Sequence, residues 1–204
     1  DDFIPSIQVN WDETDMVTLI KQNSMDPQWK FNIRTLARRV PGISQGHLIT
    51  VGARSNTGKT SFHASLVMGD GGFADQGANV AVLCNEESVQ RVRMRYINAA
   101  TGRTGKEILD DVDSNLMVYR EKSKNVRHTD ATAKTMDWVE AVCKRYKPDV
   151  LILDMGDKFA KTSTTISTHE LLKQNAIHAR QIAKQHECAI FYMSQLAAEA
   201  EGRI

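Results

Sequence analysis

The sequence predicts an α/β fold in which helices cover both faces of a mostly parallel central sheet. Short apolar segments rich in β-branched residues alternate with segments whose apolar residues recur at helical spacing. A glycine-containing loop joins the first buried strand to a helix, and acidic or amide residues stand at the ends of later strands. In open sheets of this class, the carboxyl ends of the strands form the ligand crevice.

The composition is that of one domain with room for a terminal arm. The chain has 204 residues, and 41% of them are hydrophobic, which is enough for a sizeable core. Lys and Arg total 26 against 25 Asp and Glu, so the net charge is +1. No global basic field indicates nucleic acid, so a nucleic-acid partner would have to be held by local loops or by an assembled ring.

Cysteine, histidine and hydropathy patterns exclude several classes of protein. Cys84, Cys143 and Cys188 lie in apolar segments without metal-site spacing, which predicts buried free thiols in a reducing compartment. The six histidines share no ligand spacing, so we expect no metal other than Mg²⁺. No apolar stretch reaches the length of about 18 residues typical of a membrane-spanning helix, and the first residues do not resemble a signal peptide. We therefore expect no membrane partner.

The first 30 residues are predicted to form an arm that carries one short helix. Residues 1–30 are polar, and apolar residues within 12–22 fit a helix capped by Asp12 or Thr14. This helix either packs on its own domain or docks on a neighbouring subunit, and the sequence leaves both possibilities open. Residues 31–40 form a short amphipathic turn or helix that ends at Pro41-Gly42.

Beyond the arm, apolar runs and helical periodicity alternate. Strands are predicted at residues 47–51, 79–84, 116–119, 150–153 and 189–193. Helices are predicted at 58–69, 88–100, 104–111 and 135–146, with polar loops at 125–132 and 162–168. Ser167 and Glu170 form a capping box for a last helix, which buries Leu172, Ala176, Ala179 and Ala183.

Residues 47–61, HLITVGARSNTGKTS, have the strand-loop-helix context of a phosphate-binding loop. Backbone N–H groups and the helix N-terminus would surround the phosphates, Lys59 would reach the β and γ phosphates, and Thr60 would hold Mg²⁺. The strict pattern has Gly where Ala53 stands, so an accidental Gly-Lys-Thr turn is the alternative. The predicted phosphate-binding residues are Ala53, Arg54, Ser55, Asn56, Thr57, Gly58, Lys59, Thr60 and Ser61.

Two acidic motifs follow at the ends of predicted strands. In VLILDMGD, residues 150–157, Asp154 fits the Walker B position and would hold Mg²⁺ beside Thr60, whereas Asp157 is interpreted as structural or solvated. In VAVLCNEES, residues 80–88, Glu86 lies nearer the strand end and would polarise the attacking water. Glu87 would serve the N-terminus of the next helix, and the alternative for both is an ordinary acidic helix start.

Two further features are weaker by themselves. Gln195 follows a buried strand and is placed to sense the γ phosphate, although many such residues only end a strand. Arg91, Arg93 and Arg95 lie on the helix after Glu87. A solvated face is the usual interpretation of such a run, and a nucleotide or subunit contact is the alternative.

Together these motifs resemble the RecA-like motor domain of ring-shaped replicative DNA helicases, the DnaB-type enzymes and the helicase halves of phage primase-helicases. ITVGARSNTGKTSF resembles the DnaB-type loop, in which Ala commonly opens the motif. NEESVQRVRMR matches at Glu86 as the catalytic residue, LILD at Asp154, and MSQL at Gln195, which links the γ phosphate to the DNA-binding loop. The resemblance covers roughly residues 31–198.

The resemblance implies a RecA-like P-loop NTPase that binds ATP or dTTP with Mg²⁺. Hydrolysis would drive a homo-hexameric ring along single-stranded DNA and unwind the duplex, in a bacterial cytoplasm or a phage-infected cell, with a primase as a further candidate partner. The core, residues 31–204, ends before the family's DNA-binding loop and arginine finger. We therefore expect a fragment that is weakly active alone. A RadA- or KaiC-like ATPase and a non-catalytic nucleotide switch are the alternatives.

Overall fold

A computed structural model describes residues 15–23, 27–160 and 167–196. Its centre is a five-stranded parallel sheet in the order β3-β7-β6-β4-β5, and a two-stranded antiparallel pair, β1-β2, precedes it. The strands are β1 Trp29–Lys30, β2 Gly42–Ile43, β3 Leu48–Ala53, β4 Val80–Cys84, β5 Val126–Asp130, β6 Val150–Leu153 and β7 Ala189–Gln195.

In the described ranges, α1 Met16–Asn23 precedes the strands and α2 Arg34–Ala37 lies between β1 and β2. The strands of the large sheet are connected by α3 Lys59–Met68, α4 Val89–Thr101, α5 Gly105–Asp110, α6 Val112–Lys122, α7 Met136–Tyr146 and α8 Thr168–Gln185. Side chains accept hydrogen bonds from first-turn N–H groups at several of these starts: Ser88, Thr104, Thr135 and Ser167. No helix in the described ranges has the length and apolar character needed to cross a bilayer.

Two apolar layers sandwich the sheet. Alternate strand residues such as Val82 and Phe191 face one layer, which includes Tyr96 of α4. Their neighbours along the strands, such as Leu83, face a second layer, which includes Val139 of α7. This period of two is the geometry of a β-strand, and it explains why β4 and β6 are apolar throughout. The predicted α/β fold with helices on both faces is confirmed.

Two predicted elements are wrong. Residues 116–119 are not a strand but part of α6, because Asp111 caps a helix there by accepting from Ser114 N, and Asn115 and Tyr119 bury one face four residues apart. Residues 125–132 are not a loop, since β5 lies within them. Its polar side chains are compatible with a strand because it pairs along β4, from Val80↔Val126 to Cys84↔Asp130, at the edge of the described sheet.

The N-terminal helix is present, with a different cap. Asp15 accepts hydrogen bonds from the N–H groups of Val17 and Thr18, both at 3.0 Å, so it caps α1, which begins at Met16. The predicted caps Asp12 and Thr14 lie outside the described residues, as does most of the loop predicted at 162–168. The helix predicted within 31–40 is confined to α2.

Candidate nucleotide-binding site

The loop after β3 has the backbone that its sequence requires. Gly58 has φ 93° in the left-handed region and immediately precedes α3. Asn56 also lies in that region, at φ 58°, which Asn tolerates better than most residues. No side chain caps the start of α3. The first N–H groups of a helix have no intrahelical partners, so this end of α3 is suited to an anion.

Lys59 is buried and folded back over the loop. Its Nζ donates to the carbonyl oxygens of Ala53, at 3.0 Å, and Arg54, at 2.9 Å. The carbonyl of Ala53 also accepts from the N–H of Leu196 at 3.1 Å, and Ala53 pairs with Gln195 in the β3–β7 register. The start of the loop is therefore attached to the end of β7.

Asp154 lies beneath the loop at the end of β6. Its Oδ1 accepts from Thr60 Oγ1 at 3.2 Å and contacts His63 Nε2 at 2.9 Å. Its Oδ2 is buried and has no hydrogen-bond partner among the residues that the structure describes. A buried carboxylate oxygen without a partner costs free energy, so this atom is expected to face a ligand.

These residues fit Mg²⁺. The hydroxyl of Thr60 and the free oxygen of Asp154 are hard oxygen donors of the kind that Mg²⁺ prefers. Within the described part of the chain, no group of three or more His, Cys, Asp or Glu residues is placed to hold a metal. Mg²⁺ commonly takes few ligands from a protein and the others from substrate phosphates and water.

A cleft of about 380 Å³ opens above this pair. It is lined by loop and helix residues on one side and by the β4–α4 junction on the other: Ser55, Asn56, Gly58, Lys59, Thr60, Ser61, Glu86, Glu87 and Arg95. The structure thus brings Glu86 to the phosphate loop, as the sequence predicts. Ala53, Arg54, Thr57, Asp154 and Gln195 do not line the cleft, although Ala53 and Arg54 hold Lys59 and Asp154 holds Thr60.

The two acidic residues after β4 differ in their partners. Glu86 Oε1 accepts from Lys158 Nζ at 3.0 Å, and Glu87 Oε1 accepts from Arg95 Nη2 at 2.8 Å. Glu87 is therefore tied to its own helix α4, whereas the partner of Glu86 comes from the segment after β6. The assignment of Glu86 as the residue that activates water stays a prediction.

Asn85 and Asp157 brace the ends of neighbouring strands. Asn85 donates through Nδ2 to the carbonyl of Met155 at 2.9 Å and accepts from its N–H at 3.1 Å. Asp157 Oδ2 accepts from Ser194 Oγ at 2.7 Å and from Gln195 N at 2.8 Å. Asp157 thus has a structural role, one of the two that the sequence leaves open, and the exposed Gln195 is held by its backbone at the end of β7 beside the loop.

Sequence reasoning missed His63 and Tyr96 and undervalued Arg95. His63 is fully buried on α3, between Asp154 and the hydroxyl of Tyr96. Burial raises the pKa of Tyr96 well above its usual value, helped by the charge of Asp154, so the phenol keeps its proton. The available signal was the position of His63 four residues after Lys59, one helical turn into α3 on the side of the sheet.

Comparison with known proteins identifies the family. Residues 30–204 match the family described as DnaB-like helicase C terminal domain. The chain belongs to this family. The resemblance found from the motifs is therefore confirmed, and membership implies the use of a nucleotide.

Relatives and solved structures agree with this assignment. The replicative DNA helicase DnaB of Geobacillus stearothermophilus is 27% identical over 192 residues, which cover 82% of this chain and 39% of that protein. A DnaB-like replicative helicase, solved in a study of its interactions with primase, has a TM-score of 0.77 at 15% identity and covers 91% of this chain and 48% of its own. A further solved structure, the ATPase domain of another protein, has a TM-score of 0.78 at 16% identity and covers 91% and 70%. These structures confirm the RecA-like fold, and this chain spans 39% of the DnaB relative's length.

Proposed function

We propose that this chain is the NTP-hydrolysing motor domain of a replicative DNA helicase. The observation that carries the proposal is the meeting of Thr60 and Asp154, 94 positions apart, at 3.2 Å beneath a loop whose cleft also contains Glu86. Phosphoryl transfer needs positioned charge more than covalent chemistry, and this cleft supplies an anion-binding loop, a buried lysine and an acid.

Each group has a defined task in the proposed reaction. Loop N–H groups and Lys59 bind the phosphates, for which Lys59 exchanges the carbonyls of Ala53 and Arg54 for phosphate oxygens. Thr60 and Asp154 would hold Mg²⁺, which when bound neutralises charge on the phosphates.

The remaining groups act on the attacking water and on the signal to DNA. Glu86 accepts a proton from the water that attacks the γ phosphate, after releasing Lys158. Gln195, beside Ala53 in the sheet, reports the γ phosphate to the DNA-binding side.

The larger assembly is also part of the proposal. We infer that ATP or dTTP with Mg²⁺ powers a homo-hexamer that moves on single-stranded DNA in a bacterial or phage-infected cytoplasm. The DnaB relative, a replicative DNA helicase, supports this inference. The solved structure of a DnaB-like replicative helicase, which was studied together with its interactions with primase, supports it as well. Residues 1–30 act as the arm and 31–204 as the motor core. The exposed apolar side chains of α1, Met16, Val17 and Ile20, favour an arm that docks on another surface.

Lys59→Ala in the full-length protein tests the site. We expect loss of nucleotide binding and of DNA-stimulated hydrolysis, because the phosphates lose their buried cation. Lys106→Ala, which removes an exposed lysine on α5, is the matched control and should leave both unchanged. Undiminished DNA-stimulated hydrolysis by Lys59→Ala would refute the site assignment.

A further inference from the structure

Three buried polar groups form a continuous chain that ends at the proposed Mg²⁺ site. Asp154 is 1% exposed, and His63 and Tyr96 are fully buried. His63 Nε2 lies 2.9 Å from Asp154 Oδ1, and His63 Nδ1 lies 2.9 Å from the Tyr96 hydroxyl. The three residues come from the end of β6, from α3 and from α4, so tertiary packing alone assembles the chain.

The chemistry of the three groups determines which of them donates in each hydrogen bond. A carboxylate only accepts hydrogen bonds, so Nε2 of His63 carries the hydrogen that goes to Asp154. In a neutral imidazole, Nδ1 is then an acceptor, and the Tyr96 hydroxyl donates to it. Tyr96 is well suited to this because burial keeps its phenol protonated. With a neutral His63, each hydrogen bond therefore points from Tyr96 towards Asp154.

The two carboxylate oxygens of Asp154 differ in their hydrogen-bond partners. Oδ1 has both His63 and Thr60 as partners, whereas the buried Oδ2 has none within the described part of the chain. If the network served stability alone, this oxygen would be expected to have a partner too, because an unsatisfied buried oxygen is costly. The position of Oδ2 on a carboxylate that contacts the Thr60 hydroxyl instead indicates a ligand.

We propose that His63 and Tyr96 are positioning residues, which hold Asp154 so that Oδ2 faces the Mg²⁺ of the bound nucleotide. The inference rests on the proposed function. When Thr60 gives its hydroxyl to the metal, His63 still satisfies Oδ1 and prevents the carboxylate from turning.

Tyr96, the residue of this network farthest from Asp154, is held in place by ring packing. The ring of Tyr96 packs edge-to-face on His128, with ring centroids 4.4 Å apart and an interplanar angle of 86°. Tyr96 also follows Arg95, which pairs with Glu87 in the cleft. One stretch of α4 therefore contacts both His63, which lies beside Asp154, and Glu87, which follows Glu86.

The test measures how nucleotide binding and turnover depend on Mg²⁺ in full-length protein. His63→Leu removes the donor, His63→Gln keeps an amide N–H that can replace Nε2–H, and Tyr96→Phe removes only the hydroxyl. His169→Leu, at an exposed histidine of α8, is the matched control. Binding of a fluorescent ATP analogue is titrated with Mg²⁺, and hydrolysis is measured over the same range.

We expect His63→Leu to raise the half-saturating Mg²⁺ concentration about 10-fold or more, the usual effect of removing a group that orients a metal ligand. His63→Gln should recover most of this loss, Tyr96→Phe should show a smaller rise, and His169→Leu none. Binding of the nucleotide in EDTA should be unchanged in every variant, because the phosphate loop is intact.

Wild-type Mg²⁺ dependence in both His63→Leu and Tyr96→Phe would overturn the inference, even if their melting temperatures fell. If His63→Leu does not fold, Tyr96→Phe decides by the same criterion. Failure of the proposed function is distinguishable, since the wild-type protein would then show no Mg²⁺-dependent nucleotide binding at all.

Discussion

The two sides of the cleft are built differently: the metal side, where Mg²⁺ is proposed to bind, and the water side, where Glu86 is proposed to activate water. On the metal side, Asp154 and His63 are buried, and their contacts come from the core of one chain. On the water side, Glu86 and Glu87 form ion pairs with partly exposed Lys158 and Arg95. Folding therefore sets the metal side in advance. The water side is held by pairs of a kind worth only about 0–1 kcal/mol, which exchange partners easily when a substrate or a neighbour arrives.

Glu86→Gln should produce the largest separation between the two sides. We expect nucleotide and Mg²⁺ binding to persist, because Thr60 and Asp154 are untouched, while turnover falls roughly 10²–10⁴-fold with the loss of the proposed general base. Single-turnover hydrolysis and binding by the full-length protein measure the two effects. Full turnover would move the base to Glu87, and absence of hydrolysis in the wild type would favour the non-catalytic switch.

The exclusion of water from the metal side can be tested through Cys84, at the end of β4. Burial, with a smaller effect of Asp154 and Asp130, raises its pKa from 9.0 to about 12. The folded state therefore retains a proton that the unfolded state loses. The contribution of the Cys84 thiol to the free energy of unfolding is complete below pH 9 and is lost as pH rises towards 12. At pH 11 the free energy of unfolding is lower by roughly 2–3 kcal/mol.

Cys84→Val should reduce the fall in the free energy of unfolding with rising pH, measured by denaturant titrations between about pH 8 and pH 11. Val82→Ala, a core change on the same strand without a titratable group, should lower stability and leave the pH slope of the wild type. Equal slopes for wild type and Cys84→Val would mean that the thiol is hydrated and the metal side is wetter than the structure indicates.

Asn85→Ala should weaken the join between the two sides. Both hydrogen bonds to Met155 are lost, and two backbone groups are left without their partner, so we expect about 1–2 kcal/mol of lost stability. Turnover should fall more than Mg²⁺ affinity, since Glu86 is the next residue. Asn98→Ala, in helix α4, is the control for a generic loss of an amide. A selective loss of Mg²⁺ affinity would contradict this division.

The sequence predicted the structure well where residue type and local spacing determine it. Strands β4 and β6 are apolar throughout because both faces are buried, and Lys59, Thr60 and Asp154 follow from strand-end chemistry. It failed for β5, whose polar residues form a strand because β4 offers them a partner. It also failed for His63, because its two partners are 33 and 91 positions away and only packing brings them together.

Lys158→Ala should have the smallest effect and gives the sharpest contrast with Lys59→Ala. Lys158 is 45% exposed in its pair with Glu86, so we expect a stability change below about 1 kcal/mol. Removing the lysine leaves Glu86 free to approach the attacking water, so turnover should stay within a few-fold of wild type or rise. The measurement is steady-state hydrolysis beside chemical unfolding, with Lys124→Ala as the control for loss of a surface pair. A loss as large as that of Glu86→Gln would show that the Lys158 pair holds Glu86 in its working position, and that the water side is as preorganised as the metal side.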